Sequence, residues 1–292
     1  MSASVSVVGA GRVGRALGRR LHELGWSLGA VTARTKRRAR AAVRAMGGGT
    51  ADAGLTRLVL GSDVVLVTAP DEAVGKVASD LARIGGSEWR GRVVLHASGA
   101  LDRGALAPLT RCGASTGSLH PMQTFTGRGV PALEGIAFAI KGDVRARRMA
   151  QAIVRALGDV AVTMEGRKKP AYHAAGALAA GHGLALVEAA TQILMELGFT
   201  RRRAARSLLS LMRQMLANFE RLGPRAAWTG PLSRGDYATV SKHATALGAY
   251  PREYGEAYAA LSRLARRVLS AKPEAALRQI NRTMEKRRGG KR

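Results

Sequence analysis

Two sets of residues in this sequence have types and spacings suited to chemistry. Gly9-Ala10-Gly11-Arg12-Val13-Gly14 fits the pattern G-x-G-x-x-G, in which glycines let the backbone turn tightly and approach a pyrophosphate. Ser98 and His120 follow apolar runs, and an imidazole can exchange the proton that accompanies hydride transfer near neutral pH. These residues indicate dinucleotide binding beside a group that handles protons.

The glycine motif lies between a predicted strand and a predicted helix. Val5, Val7 and Val8 form a β-branched run that is typical of a buried parallel strand. Residues 15–24 carry apolar side chains at helical spacing, so the N-terminus of this helix would face the phosphates. The alternative is a glycine-rich turn without a ligand, but the strand–loop–helix order favours a phosphate-binding loop.

A basic run follows the second predicted strand, residues 28–33, and includes Arg34, Thr35 and Arg37. Rossmann domains that prefer NAD place an acidic residue near this position, on the ribose 2′-hydroxyl. An acid would repel a 2′-phosphate, whereas guanidinium groups bind it, so we expect NADP (NADPH). The alternative is an arginine-rich start to the second helix.

The ends of later strands should border the same ligand, because ligands lie beyond the carboxyl ends of parallel strands. Ala69 and Pro70 follow the strand predicted over residues 63–68 and are expected to contact the cofactor. Ser98 is expected to orient a substrate or the nicotinamide amide, and His120 to act as acid or base. The alternative for Ser98 and His120 is a polar loop residue with a local hydrogen bond. For His96, a buried core histidine is the favoured interpretation.

The pattern of secondary structure that the sequence predicts changes near residue 166. Strands and helices alternate before it, and only helical periodicity follows. This predicts an α/β fold with an N-terminal Rossmann doubly wound parallel sheet, followed by an all-α C-terminal domain. The predicted parts are a cofactor domain over 1–166, a helical substrate and dimerisation domain over 167–285, and a disordered basic tail over 286–292.

Composition limits the classes of function. The 292 residues carry a formal net charge of +27, but we find no aromatic interleaving or zinc-finger signature, so no nucleic-acid partner is expected. The single cysteine, Cys112, excludes an intramolecular disulfide. We find no run of 18 apolar residues and no leader, so no membrane partner and a cytoplasmic location are expected. His173 and His182 are nine positions apart on a predicted helix, on opposite faces, so no metal is expected.

The sequence resembles known protein families. The N-terminal part is similar to the pyrroline-carboxylate reductase, prephenate dehydrogenase and 6-phosphogluconate dehydrogenase group. More closely, the whole chain resembles a bacterial family of Rossmann-like proteins with a C-terminal helical domain of unknown function. The motifs that carry this resemblance are Ser98-Gly99, Leu119-His120-Pro121-Met122-Gln123-Thr124-Phe125, Tyr172-His173-Ala174-Ala175, Thr229-Gly230-Pro231, Arg234-Gly235-Asp236 and Thr239-Val240.

The resemblance implies an NAD(P)-dependent oxidoreductase with a 6-phosphogluconate dehydrogenase-like C-terminal domain, and it hints at ketopantoate reduction. We therefore expect an NADP-dependent enzyme acting on a small carboxylate-bearing carbonyl or imine, with His173 and Asp236 lining the substrate cleft. Asp236 could instead only cap a helix.

The family places an asparagine where this chain has Gly181. That departure leaves open a non-catalytic NADP-binding sensor, and the charge leaves open a nucleic-acid-binding protein. A homodimer through the C-terminal helices is expected.

Overall fold

The N-terminal half of the chain forms one eight-stranded sheet with the strand order β3-β2-β1-β4-β5-β6-β7-β8. The computed structural model describes residues 3–272 and 274. All neighbouring strands are parallel except β6 and β7, which are antiparallel. The strands are β1 (Ser4–Val8), β2 (Ser27–Ala33), β3 (Thr50–Ala53), β4 (Val64–Val67), β5 (Val93–His96), β6 (Ser115–Pro121), β7 (Ala137–Gly142) and β8 (Val160–Thr163).

Helices connect the strands and then make up the rest of the described chain. Five of them alternate with the strands, and six follow the last strand. They are α1 (Arg12–Glu23), α2 (Lys36–Met46), α3 (Asp71–Gly85), α4 (Ala107–Arg111), α5 (Val144–Ala156), α6 (Lys169–Ala177), α7 (Gly183–Glu196), α8 (Arg201–Ala227), α9 (Pro231–Arg234), α10 (Tyr237–Ala246) and α11 (Arg252–Leu269).

The sheet has helices on both faces. In β4, Val64 and Leu66 belong to the core cluster that includes residues of α1 and α5. The alternate residues Val65 and Val67 belong to the cluster that includes residues of α3 and α4. Both faces of this strand are therefore buried, as its uninterrupted apolar run predicts. The predicted fold class is confirmed: a parallel-dominated, doubly wound sheet followed by helices.

The position of His120 differs from the prediction. We expected it to follow a strand, but it lies inside β6 and pairs with Ala139 of the antiparallel strand β7. Residues 122–136 contain no helix, and a parallel return normally needs a helical crossover. The chain therefore returns antiparallel, and the pairing extends β6 to Pro121.

The helix predicted over residues 168–197 is not regular. A π-helical turn, Leu178–His182, separates α6 from α7, so regular helical pitch does not relate His173 to His182. The chain divides into two compact units between Gly181 and His182. The domain boundary after residue 166 stays a prediction, and the tail over 286–292 lies outside the described residues.

One helical stretch, Gly166–Glu196, is long and apolar enough to cross a membrane by length and composition. The sequence predicted no such segment, because it has no uninterrupted run of 18 apolar residues: His and Tyr residues interrupt this helix of small side chains. A single stretch of this kind is weak support for a span, since core helices have the same composition. The expectation of no membrane partner stays a prediction.

Candidate functional site

A cavity of about 820 Å³ lies where β1, β2 and β4 end. Its lining includes Gly9, Ala10 and Gly11 of the glycine loop. Ala69 and Pro70, which follow β4, complete this side of the cavity. The structure therefore brings together, at one edge of the sheet, loop residues that are some 60 positions apart in the sequence.

The glycine loop has the geometry of an anion cradle. Gly9 has φ +87°, and a Cβ there would lie 2.9 Å from the backbone nitrogen of Ala69. At Gly14 a Cβ would lie 2.4 Å from Oγ1 of Thr68, so this glycine permits close packing of α1 on the sheet. Helix α1 begins after Gly11 with no side-chain cap and no acid in its first turn. Its first amide groups are therefore suited to a phosphate.

Guanidinium groups surround another side of the cavity. Arg15, Arg34 and Arg38 belong to the lining, whereas the predicted contact Arg37 does not. Successive helix residues point about 100° apart, so Arg37 and Arg38 of α2 cannot both face the cavity. Thr35 is the N-cap of α2, where its hydroxyl accepts a hydrogen bond from the backbone of Arg38. Five other predicted cofactor residues are not part of the lining: Arg12, Val13, Gly14, Thr35 and Ser98.

Ser98 is nearly buried, and its hydroxyl is fully engaged. It donates to Oδ2 of Asp71 at 2.8 Å and accepts from the backbone nitrogens of Ala100 and Leu101 at 3.1 and 2.9 Å. A hydroxyl has one proton and two acceptor positions, so none is left for a substrate. In this structure Ser98 therefore holds the turn over residues 98–101, which differs from the predicted role as a substrate donor.

Asp71 connects this turn to the cavity. It is the first residue of α3, between the cavity-lining residues Pro70 and Glu72. Its bond with Ser98 joins α3 to the end of β5. The start of α3, at the edge of the cavity, is therefore held beside the turn over residues 98–101.

Lys169, the first residue of α6, is 1% exposed. Its ammonium donates to the carbonyl oxygens of Ser98 and Leu101 at 2.9 and 2.5 Å, and to Oγ of Ser118 at 3.2 Å. Burial lowers the pKa of Lys169 to about 8, against the attraction of Asp102 and Asp71. Sequence reasoning missed this residue, because a single lysine in so basic a chain carries no distinctive signal.

His120 contacts two residues of α6. Its Nδ1 lies 3.3 Å from the hydroxyl of Tyr172, and its ring meets that of His173 edge to face at 5.8 Å between centroids. Burial lowers the pKa of His120 to about 4, with further lowering by His173 and Lys169. The ring is therefore neutral near pH 7. The hydroxyl of Tyr172 either donates to Nδ1, which puts the ring proton on Nε2, or accepts from Nδ1 and donates to the carbonyl oxygen of His120 at 3.5 Å.

Both imidazoles lie against the backbone of Gly99. A Cβ at this position would be 2.7 Å from Nε2 of His120 and 2.8 Å from Cδ2 of His173. Gly99 thus belongs to the site for steric reasons, which a single sequence could not indicate. His96, the last residue of β5, is buried as predicted for a core histidine, and burial lowers its pKa to about 4, but its Nε2 has no hydrogen-bond partner among the described residues.

Asp236 lies in the second unit and has a local structural role. Its Oδ1 accepts from the backbone nitrogen of Thr239 at 3.0 Å and caps α10, which is the capping alternative named above. Arg234 is exposed on the preceding turn. The buried cation near this motif is Arg266, which donates to the hydroxyl of Tyr237 at 2.6 Å.

Among the residues that the structure describes, no group of three His, Cys, Asp or Glu side chains is placed to hold a metal ion. The cluster of His120, Tyr172 and His173 offers hydrogen-bond donors and acceptors. These are a neutral imidazole, a tyrosine hydroxyl and an exposed second imidazole beside a cavity with an anion cradle.

Family models match two parts of the chain, in the order in which its motifs occur. Residues 1–121 match a Rossmann-like domain, and residues 136–265 match a domain of unknown function, DUF2520. This confirms the resemblance inferred from the motifs. No curated protein matches the chain.

Solved structures share the fold at low sequence identity. A candidate NADP oxidoreductase from Bacteroides fragilis is 19% identical, with 90% of this chain and 98% of that chain covered and a TM-score of 0.74. An imine reductase from Pseudomonas sp. is 18% identical, with 97% and 100% covered and a TM-score of 0.68. Pyrroline carboxylate reductase from Plasmodium falciparum, solved with NADP bound, is 12% identical, with 96% and 98% covered and a TM-score of 0.59.

Proposed function

We propose that this chain, which joins a Rossmann-like domain to a DUF2520 domain, is an NADP-dependent oxidoreductase. It would transfer a hydride to or from a small carboxylate-bearing carbonyl or imine, of which a ketopantoate-like 2-keto acid is one candidate. The observation that carries the proposal is the continuity of two features. The cavity with its anion cradle ends at the start of α3, and Asp71 there bonds to the turn on which His120 and His173 lie.

The residues present fit a dinucleotide. Gly9 and Gly11 leave the space that a pyrophosphate needs, and the uncapped N-terminus of α1 offers amide donors. Arg34 and Arg38 line the same cavity, where they suit a 2′-phosphate. NADPH would supply the hydride, as the similar structures named for NADP enzymes suggest.

His120 would polarise the bond that is reduced. Its neutral ring carries a proton on Nε2 when Tyr172 donates to Nδ1, and this N–H can bond to a substrate oxygen or nitrogen. When that atom becomes basic, the Nε2 proton moves to it, the tyrosine proton moves to Nδ1, and the tyrosine oxygen regains a proton from solvent. Burial raises the pKa of Tyr172, so its hydroxyl holds this proton near pH 7. His173, exposed beside His120, would contact the substrate.

Transfer of an isotope label tests the activity directly. NADPH deuterated at the transferring position would be incubated with a panel of 2-keto acids and of cyclic imines bearing a carboxylate, and products would be examined by mass spectrometry. Deuterium in a product supports the proposal. NADPH binding without transfer to any panel member would instead indicate the non-catalytic sensor, for which Gly181 in place of the family asparagine is the motive.

We expect NADPH to bind at least about tenfold more tightly than NADH, because a charge-assisted phosphate contact contributes about 1.5–3 kcal/mol. Arg38→Gln should remove most of this preference, since Arg38 lines the cavity. Arg37→Gln is the matched control, because the adjacent Arg37 does not line it. Nicotinamide fluorescence titrations measure both affinities. Tighter NADH binding by the unmodified protein would contradict the cofactor assignment.

We also propose that the chain forms a homodimer through its C-terminal helices. Long apolar side chains are exposed there: Leu184 is 70% exposed, Leu197 65% and Leu211 67%. Soluble monomers rarely expose contiguous apolar surface of this kind. Light scattering at micromolar concentration should give twice the mass of one chain, and Leu184→Glu together with Leu211→Glu should halve it. A monomer in the unmodified protein would refute the proposal.

A further inference from the structure

We propose that Lys169 is a positioning residue of the proposed site: its saturated ammonium fixes the turn beneath His120 rather than delivering a proton itself. This inference rests on the proposed function for its meaning, but its test does not depend on turnover. A buried amine beside a predicted catalytic histidine invites the opposite interpretation, that of a proton donor. The hydrogen bonds decide between the two.

The ammonium of Lys169 has no donor left for a substrate. A lysine ammonium carries three protons, and three acceptors lie around Nζ: the carbonyl oxygens of Ser98 and Leu101 and the hydroxyl of Ser118. The side chain is also 1% exposed, so a substrate cannot reach Nζ without displacing protein atoms. To deliver a proton, Lys169 would have to leave two buried carbonyls unpaired, which is costly.

The hydrogen bonds of Lys169 also fix the turn around Gly99, which contacts His120. Ser98 and Leu101 bracket Gly99, whose backbone contacts the imidazole edge of His120. The Ser98 hydroxyl closes this turn internally and ties it to Asp71. Lys169 therefore fastens the start of α6, which carries Tyr172, to the turn that supports the histidine from the other side.

The charge of Lys169 acts on His120 as well. A buried cation makes a second positive charge nearby unfavourable. The other groups that face the ring are the hydroxyl of Tyr172, the imidazole of His173 and the carboxylate of Asp71, of which only Asp71 favours protonation. Burial is the largest cause of the lowered pKa of His120, followed by His173 and then Lys169, and together they outweigh Asp71 and leave the ring neutral.

Nuclear magnetic resonance of the unmodified protein tests the saturation of the Lys169 ammonium. In lysine ¹⁵N spectra near pH 6.5, a buried, triply bonded ammonium should give a signal with slowly exchanging protons, absent from Lys169→Arg. Exposed Lys168, its neighbour, should give none. Rapid exchange at Lys169 would overturn the proposal, because a proton donor to substrate must be accessible.

Histidine titration tests the coupling of Lys169 to His120. In Lys169→Met, which removes the charge and nearly keeps the volume, the midpoint of His120 should rise measurably above its value near 4. Lys169→Arg should keep it low, and Lys168→Met is the control that should leave it unchanged. An unchanged midpoint in a folded Lys169→Met overturns the proposal. If that variant does not fold, Asp71→Asn, which removes the opposing negative charge, should lower the midpoint further, and no change would overturn it.

Measurements of turnover distinguish failure of this inference from failure of the proposed function. If the protein is active, Lys169→Met should retain measurable reduction and shift the acid limb of its pH profile upward with the His120 midpoint. Complete loss in a folded variant with an unshifted midpoint would identify Lys169 as the proton donor. If no substrate is ever reduced, the two resonance experiments still decide the role of Lys169.

Discussion

Replacing His120 with alanine is expected to lower turnover about 10²–10³-fold, the usual effect of removing one preorganised donor to a developing charge. NADPH affinity should change little, because the cavity lining does not include His120. The expectation follows from the geometry: a neutral ring, with Nδ1 facing Tyr172 and Nε2 at the surface of Gly99. Steady-state kinetics and a fluorescence titration on the same preparation measure both quantities.

His243→Ala is the matched control for this variant. His243 also pairs with a tyrosine, Tyr258, with Nδ1 and the hydroxyl 3.0 Å apart and the rings edge to face, but it lies in the second unit. Its loss should therefore reproduce the structural cost of breaking a histidine–tyrosine pair without the loss of turnover. Equal losses of turnover and melting temperature in both variants would remove His120 from the mechanism.

The pH dependence of His120 has a defined sign. Because the pKa is lowered to about 4 in the folded protein, the unfolded chain binds a proton more readily between pH 6.5 and 4. The free energy of unfolding is therefore higher above pH 6.5, and it decreases as the pH falls through this window because protonation favours the unfolded chain. Turnover should accordingly stay level from pH 7 to about 5, whereas an unperturbed histidine would give an acid limb near 6.5.

Gly9→Ala is expected to weaken NADPH binding about a hundredfold or more, since losing two charge-assisted contacts costs at least about 3 kcal/mol. The added Cβ would lie 2.9 Å from the backbone nitrogen of Ala69, so the loop must move away from the end of β4. Backbone cannot yield as a flexible side chain does. The measurement is again the nicotinamide fluorescence titration.

Gly25→Ala is the control that separates the steric effect of Gly9→Ala from the backbone strain of an alanine at positive φ. Gly25 has φ +86°, nearly the same as Gly9, but a Cβ there meets no atom within 4 Å. Both variants should lose comparable stability from a left-handed alanine, and only Gly9→Ala should lose cofactor affinity. Unchanged affinity in Gly9→Ala would show that the cavity is not the cofactor site.

The sequence by itself determined the elements of this protein. β-branched runs predicted β1, β2 and β4, and the glycine spacing predicted the loop that lines the cavity, because both signals are local. Helical periodicity likewise predicted that only helices follow residue 166, as α6 to α11 do within the described residues. The resemblance carried by these motifs was sufficient to predict both matched domains.

Only the tertiary structure decided which polar groups are available for chemistry. Ser98 has the type and position of a substrate donor, but its bonds to Asp71 and to two backbone nitrogens leave it none to offer. Lys169 had no signal of its own, yet it is the buried cation at the centre of the cluster. The physical reason is that residue type fixes what a side chain can donate or accept, whereas burial and partners contributed from distant strands decide its charge and which bonds remain free.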